Sequence, residues 1–156
     1  MRPAPLLLLK LLPLAAVACS GGRDVSNAYP HLEQETLVSG PARFRVWIAD
    51  DDASRTEGLM NATSADLATL SDGTRRGMLF VFAVETDVEF WMKDTEVPLD
   101  LAYLDESGRI LAVHALIPLD ETLIPSPGPI RYALEVRAGE LAIGIGDVID
   151  IPGSAG

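Results

Sequence analysis

The run Met-Leu-Phe-Val-Phe-Ala at residues 78–83 is apolar at every position. A strand sends successive side chains to opposite faces, so a strand with no polar face must be covered on both. The fold therefore needs a central strand, with apolar packing above and below it and other strands at its sides.

Those other strands can be found by the same alternation. In residues 42–49, Ala42, Phe44, Val46 and Ile48 alternate with Arg43, Arg45 and Trp47, a strand with one buried face. Residues 89–92 and 99–104 read as two more, joined across Pro98. Asp105-Glu106-Ser107-Gly108 has the chemistry of a hairpin turn, and residues 109–117 run back as the partner strand. Residues 132–136 and 148–151 complete the strands, while the proline-rich stretch 118–129 suits an exposed loop better than a ladder. Helical signals are short. Asp51-Asp52 offers an N-cap to a turn or helix ending near Gly58, Ser64 caps a second candidate, and residues 139–143 form a possible helical turn. These elements predict a mainly β (α+β) fold, a small curled sheet or barrel-like domain with two or three short helices.

The domain is expected over residues 36–151, with a short tail at 152–156. Ahead of it, residues 1–18 have the layout of a bacterial export signal: Arg2, an apolar run and small residues before the single cysteine, Cys19. The run is shorter than the roughly 20 apolar residues a spanning helix needs, and it carries Lys10. Cys19 follows Ala16-Val17-Ala18, as a lipidated cysteine follows its signal, although Ala16 stands where leucine is usual. Acyl chains there, each methylene worth about 0.8 kcal/mol in a bilayer, would anchor the protein to membrane lipid. Ser20 directs the expectation to the outer membrane, on its periplasmic face. Residues 19–35 show no period and read as a flexible tether of the lipidated cysteine, His31 included. Loss of Arg2 and Lys10 with the signal takes 12 basic residues to 10 against 23 acidic ones, a formal charge of −13. That balance argues against a nucleic-acid partner.

Six motifs appear in order: R-T-E-G-L-M (55–60), R-G-M-L-F-V-F (76–82), F-W-M-K-D-T-E-V-P-L-D-L (90–101), D-E-S-G-R-I (105–110), L-E-V-R-A-G (134–139) and I-G-D-V (145–148). Together they resemble the bacterial and archaeal family named domain of unknown function 192, over residues 44–151. The resemblance implies a mainly β fold and no assigned activity. One departure is Asp94, where the family's motif usually has asparagine.

The motif 90–100 should form a strand-turn-strand corner, with Phe90 and Met92 directed one way and Trp91 the other. It would place apolar mass under a polar rim, and such apolar hollows with a few polar groups are default binding sites. The candidate binding residues are Arg55, Trp91, Lys93, Asp94, Thr95, Asp100 and Glu135, with Cys19 as the lipid attachment. Asp100 shares a strand face with Ala102 and Leu104 and needs a partner if buried; Arg55 or Lys93, the one lysine after the signal, could supply it. The leading expectation is a non-enzymatic, lipid-anchored binding or accessory module of the cell envelope, with a small molecule or an envelope partner as ligand. No catalytic residue, metal site or cofactor is assigned. A first alternative is an enzyme acting on envelope carbohydrate through Asp100 and Glu135 as a carboxylate pair. A second is Cu(I) binding by the soft thioethers of Met60, Met78 and Met92, aided by His114. Against it stands the ordinary use of methionine as filler beside aromatics. Nucleophile elbows, phosphate loops and zinc-ligand spacings are missing from the sequence.

Overall fold

A computed structural model describes residues 27–153. The expected export signal at residues 1–18 and Cys19 lie outside them. Nine elements follow in order: β1 (Gln34–Ser39), β2 (Ala42–Ala49), α1 (Asp52–Glu57), β3 (Arg75–Thr86), β4 (Glu89–Phe90), β5 (Leu99–Leu104), β6 (Ile110–Leu116), β7 (Ile124–Pro125) and β8 (Ile130–Arg137). Six strands form one sheet in the order β1-β2-β3-β8-β5-β6, and β4 pairs with β7 apart from it. The expected central strand is β3, held between β2 and β8. All neighbours in the sheet are antiparallel except β2 and β3, whose parallel pairing needs the crossover through α1 and the turns of residues 58–74.

The sheet curls without closing. Its free edges, β1 and β6, are approached by the C-terminal segment, which makes isolated bridges from Asp150 to Val38 and from Val148 to Arg109. The expected last strand at 148–151 is thus reduced to these bridges. Among the described residues α1 is the only helix, so the two or three expected are one. Residues 63–70 form turns in which Asp66 Oδ2 accepts from the Thr63 backbone and hydroxyl, and residues 139–143 are irregular. The helix that does form has strong ends. Asp51 Oδ1 accepts from Ser54 N at 2.8 Å, Ser54 Oγ accepts from Asp51 N, and Gly58 terminates the turn at φ 51°.

Both faces of the sheet are apolar, as an all-apolar central strand demands. One face buries Phe44, Val46, Leu79, Leu134, Val136 and Leu104, closed over by Leu141, Ile149 and Ile151. The other buries Trp47, Met78, Phe80, Leu101 and Tyr103 beneath Leu59, Leu67, Met92 and Val97. Trp47, expected on the polar side of its strand, is therefore core: the ring of Tyr29 meets its edge at 5.0 Å, and Arg76 lies 4.6 Å over it. Tyr29 falls within the expected tether, yet it is only 4% exposed, and its hydroxyl donates to Met60 O. Asn27 accepts from Trp47 Nε1, so the packed part of the chain reaches back at least to Asn27. The proline-rich loop is more than an excursion. Through β7 and bonds from Tyr103 Oη to Ile124 O and from Met92 N to Asp120 O, it folds over the corner that follows β4.

The seam between the faces runs along β3 and β8. A Cβ built on Gly77 would stand 2.1 Å from Glu135 O and 2.8 Å from Val136 Cγ1, so only glycine allows this approach.

Candidate functional site

One row of cross-strand partners reads Trp47, Met78, Glu135, Leu101. Directly opposed residues share a face, so Glu135 projects from the middle of β8 between Met78 and Leu101, and the row continues to Gln34 at one edge and His114 at the other. The next row reads Ala49, Phe80, Ala133, Tyr103. Ala133 is small, and in the space above it Phe90 meets Phe80 edge-on at 4.8 Å and Tyr103 at 5.7 Å. Between these rows and the α1 layer the packing leaves a cavity of about 520 Å³, open to the surface. Phe80, Phe82, Val88, Phe90, Trp91 and Leu123 supply its apolar wall, with Leu59 and Met60 from the turn after α1.

Glu135 is 3% exposed. Its carboxyl makes no hydrogen bond or ion pair to any described residue, while no fully enclosed side-chain oxygen or nitrogen among them lacks a partner. The carboxyl oxygens therefore open onto the cavity. Burial alone pushes the acid up to about 8, because the charged form loses its hydration and gains no donor. Two phenols stand near enough to be raised in turn by its charge, Tyr29 and Tyr103, each held up first by its own burial. Neither serves it as a donor, since their hydroxyls go to Met60 O and Ile124 O.

Of the seven candidate binding residues, five line this cavity: Arg55, Trp91, Lys93, Thr95 and Glu135. Asp94 and Asp100 do not. Arg55 Nη1 donates to Asp50 O and Val81 O, Nη2 donates to Asp52 Oδ1 at 2.6 Å, and the guanidinium lies 5.4 Å from the centre of the Phe82 ring. Thus Arg55 ties α1 to β3, and the expected pairing of Asp100 with Arg55 or Lys93 is not made. Lys93 stands 5.3 Å over the ring of Trp91, which is 39% exposed at the mouth. Thr95 is buried, and its hydroxyl donates to Lys93 O across the turn.

Asp100 shares the Ala102–Leu104 face, as alternation predicted, but its partner is backbone: Oδ2 accepts from Gly139 N at 2.8 Å. Across β5 and β8, Asp100 opposes Val136 while Leu101 opposes Glu135. The two carboxylates therefore leave opposite faces of the sheet, and a pair acting on one substrate is ruled out by register. Asp94 sits at φ 51°, in the left-handed region that asparagine and aspartate tolerate best. That shared tolerance accounts for either residue at this position without any role for an amide. The thioethers are also apart in function. Met78 and Met92 are enclosed in the core, and only Met60 reaches the cavity, while His114 packs its ring against Tyr103.

Phe90 lines the hollow as the corner motif implied, whereas Phe80, Phe82 and Glu57 are cavity residues that the motifs did not single out. Phe80 and Phe82 were visible as an i, i+2 pair on one face of β3, but which face carried a hollow depends on what packs above it.

The fold and the motif order agree with the comparisons. A family profile described as Uncharacterized ACR, domain of unknown function 192, matches residues 35–151, and the chain belongs to that family. A crystal structure from Sinorhizobium meliloti 1021, provisionally described as a transcription regulator, is similar at 30% identity. It has a TM-score of 0.67 over 76% of this chain and 94% of that one. A protein of unknown function from Novosphingobium aromaticivorans DSM 12444 is similar at 29% identity and TM-score 0.69, over 81% and 91% of the two chains. No curated protein matches.

Proposed function

We propose that the protein is a non-enzymatic binding module of the bacterial cell envelope, tethered by a lipid on Cys19, which holds a small organic molecule in the cavity above β3 and β8. The observation that carries this reading is Glu135, a buried carboxyl without a partner among the described residues, on the wall of an aromatic hollow. Burying a carboxyl that has no protein donor costs stability, and a ligand that supplies the donor offsets that cost on binding. Volume supports the reading too, since about 520 Å³ lies in the range of small-molecule sites.

The envelope placement rests on the export signal and on Cys19 in the sequence. A regulator's role on DNA, suggested for the Sinorhizobium protein, gains no support from this chain, whose formal charge of −11 repels phosphate. Carbohydrate cleavage by two carboxylates has lost its second member, because Asp100 faces away.

The test is to incubate the full chain with a small-molecule extract of bacterial envelopes and identify what co-purifies by mass spectrometry. Wild type should enrich a discrete small molecule, and Val88→Trp, which fills the cavity, should lose it. Equal enrichment by both proteins, or none by wild type, would remove the cavity as the site.

A further inference from the structure

Three observations bear on what the cavity takes. The first is the isolation of Glu135: its carboxyl is the most enclosed acid of the site, and the tyrosines beside it donate elsewhere. The second concerns the cations of the wall. Arg55 is committed to Asp52 and to two backbone carbonyls, and Lys93 lies against Trp91 at the mouth, so neither neutralises Glu135. The third is the sign of the remaining wall. Asp52, Glu57 and Glu89 line the cavity with Glu135, four acids against Arg55 and Lys93, with His31 bonded to Glu57 from outside the wall, and aromatic rings stand between them. Ring faces attract cations, by about 0.5–2 kcal/mol per contact.

We propose that the cavity binds an organic cation, with a primary ammonium or guanidinium head donating to Glu135 and an apolar or aromatic body lying among Phe80, Phe82 and Phe90. This rests on the cavity being a binding site and adds the chemistry of its ligand. An anion would take only the protonated form of Glu135 and would still meet Asp52, Glu57 and Glu89 on the wall, and a neutral molecule would leave those carboxylates unanswered.

Binding is also a proton exchange. Near neutral pH the empty site holds its proton on Glu135, raised by burial to about 8, and the arriving cation displaces that proton to solvent. The titratable and charged groups on this side of the sheet are the phenols of Tyr29 and Tyr103, Asp66, Arg76 and His114, and the cavity charges Asp52, Arg55, Glu57, Glu89 and Lys93. The affinity for a cation that stays charged should therefore rise roughly 50-fold between pH 6 and pH 8.

The test uses three probes of one shape and three charges, benzylammonium, benzyl alcohol and benzoate, titrated into the full chain by calorimetry at pH 6 and pH 8. Benzylammonium should bind at least tenfold tighter than the other two, release close to one proton at pH 6, and gain the stated pH dependence. In Glu135→Gln, checked for its fold by circular dichroism, the preference for the cation should vanish. Should that variant not fold, the pH series on wild type decides alone. Equal or tighter binding of the alcohol or benzoate, or a flat pH profile for the cation, overturns the cation proposal while leaving the cavity as a site. If none of the probes binds at millimolar concentration, both readings fail together.

Discussion

The two faces of the sheet are built from the same strands and end in different states. Along β8, Leu134 and Val136 enter a face that the chain itself seals with Leu141, Ile149 and Ile151. Glu135, between them, enters a face where the covering layer stops short and leaves a hollow. On the sealed side every buried position is apolar or paired. On the open side, a carboxyl is buried without a donor among the described residues. The contrast teaches where the fold has spent packing for stability and where it has held it back. Both faces contribute packed core, but only the open one carries a buried acid without a donor among the described residues.

The largest expected effect comes from breaking the seam both faces share. Gly77→Ala would drive a methyl into Glu135 O and Val136, and it should cost more than about 3 kcal/mol or abolish soluble folded protein, read by urea denaturation. Next comes a matched pair of truncations. Phe44→Ala on the sealed face should cost about 3–5 kcal/mol, whereas Phe82→Ala, which only enlarges an existing hollow, should cost roughly 1 kcal/mol. Equal losses would erase the distinction between the faces.

Sharpening the comparison requires pH. Glu135 titrates near 8 when folded and near 4.5 when unfolded, so the folded state holds the extra proton between those values. Stability should therefore fall as pH rises from about 4.5 and level off above about 8, by a few kcal/mol in total. Glu135→Gln should flatten that slope. The acids held low by hydrogen bonds, Asp51, Asp72 and Asp120 by backbone donors first and Asp105 by the Ser107 hydroxyl first, act in the opposite sense and below the usual carboxylate range, so their effect is confined to a separate acid window. The smallest change is expected for Asp52→Asn. Its pair with Arg55 is exposed on the acid side, and its loss should cost under about 1 kcal/mol while Arg55 keeps its two carbonyls.

Local signals carried most of the strand plan. Alternation located β2 to the residue, the Asp105 turn located the β5–β6 hairpin, and Asp51 with Gly58 bounded α1. Gln34–Ser39 escaped because an edge strand with half-polar sides has little alternation to show. Trp47 was placed with the arginines because its covering partner, Tyr29, comes from a stretch with no periodicity of its own. The site was legible only in part. Its aromatic and charged residues stand out within the motifs, and five of the seven chosen do meet in one hollow. Whether Asp100 and Glu135 share a face, however, is decided by the register of β5 against β8, in which Leu101 opposes Glu135 far along the chain. Near-neighbour patterns contain no term for it. A one-residue shift would have put both carboxylates on the same side.

The central claim is that Glu135 stands in the open face with no donor of its own. Carboxyl carbon chemical shifts of the full chain, assigned through Glu135→Gln and followed from pH 4 to pH 10, measure this directly. The expected midpoint is near 8. A midpoint in the ordinary glutamate range, around 4 to 5, would mean that the carboxyl is hydrated or paired, and the site as described here would not exist.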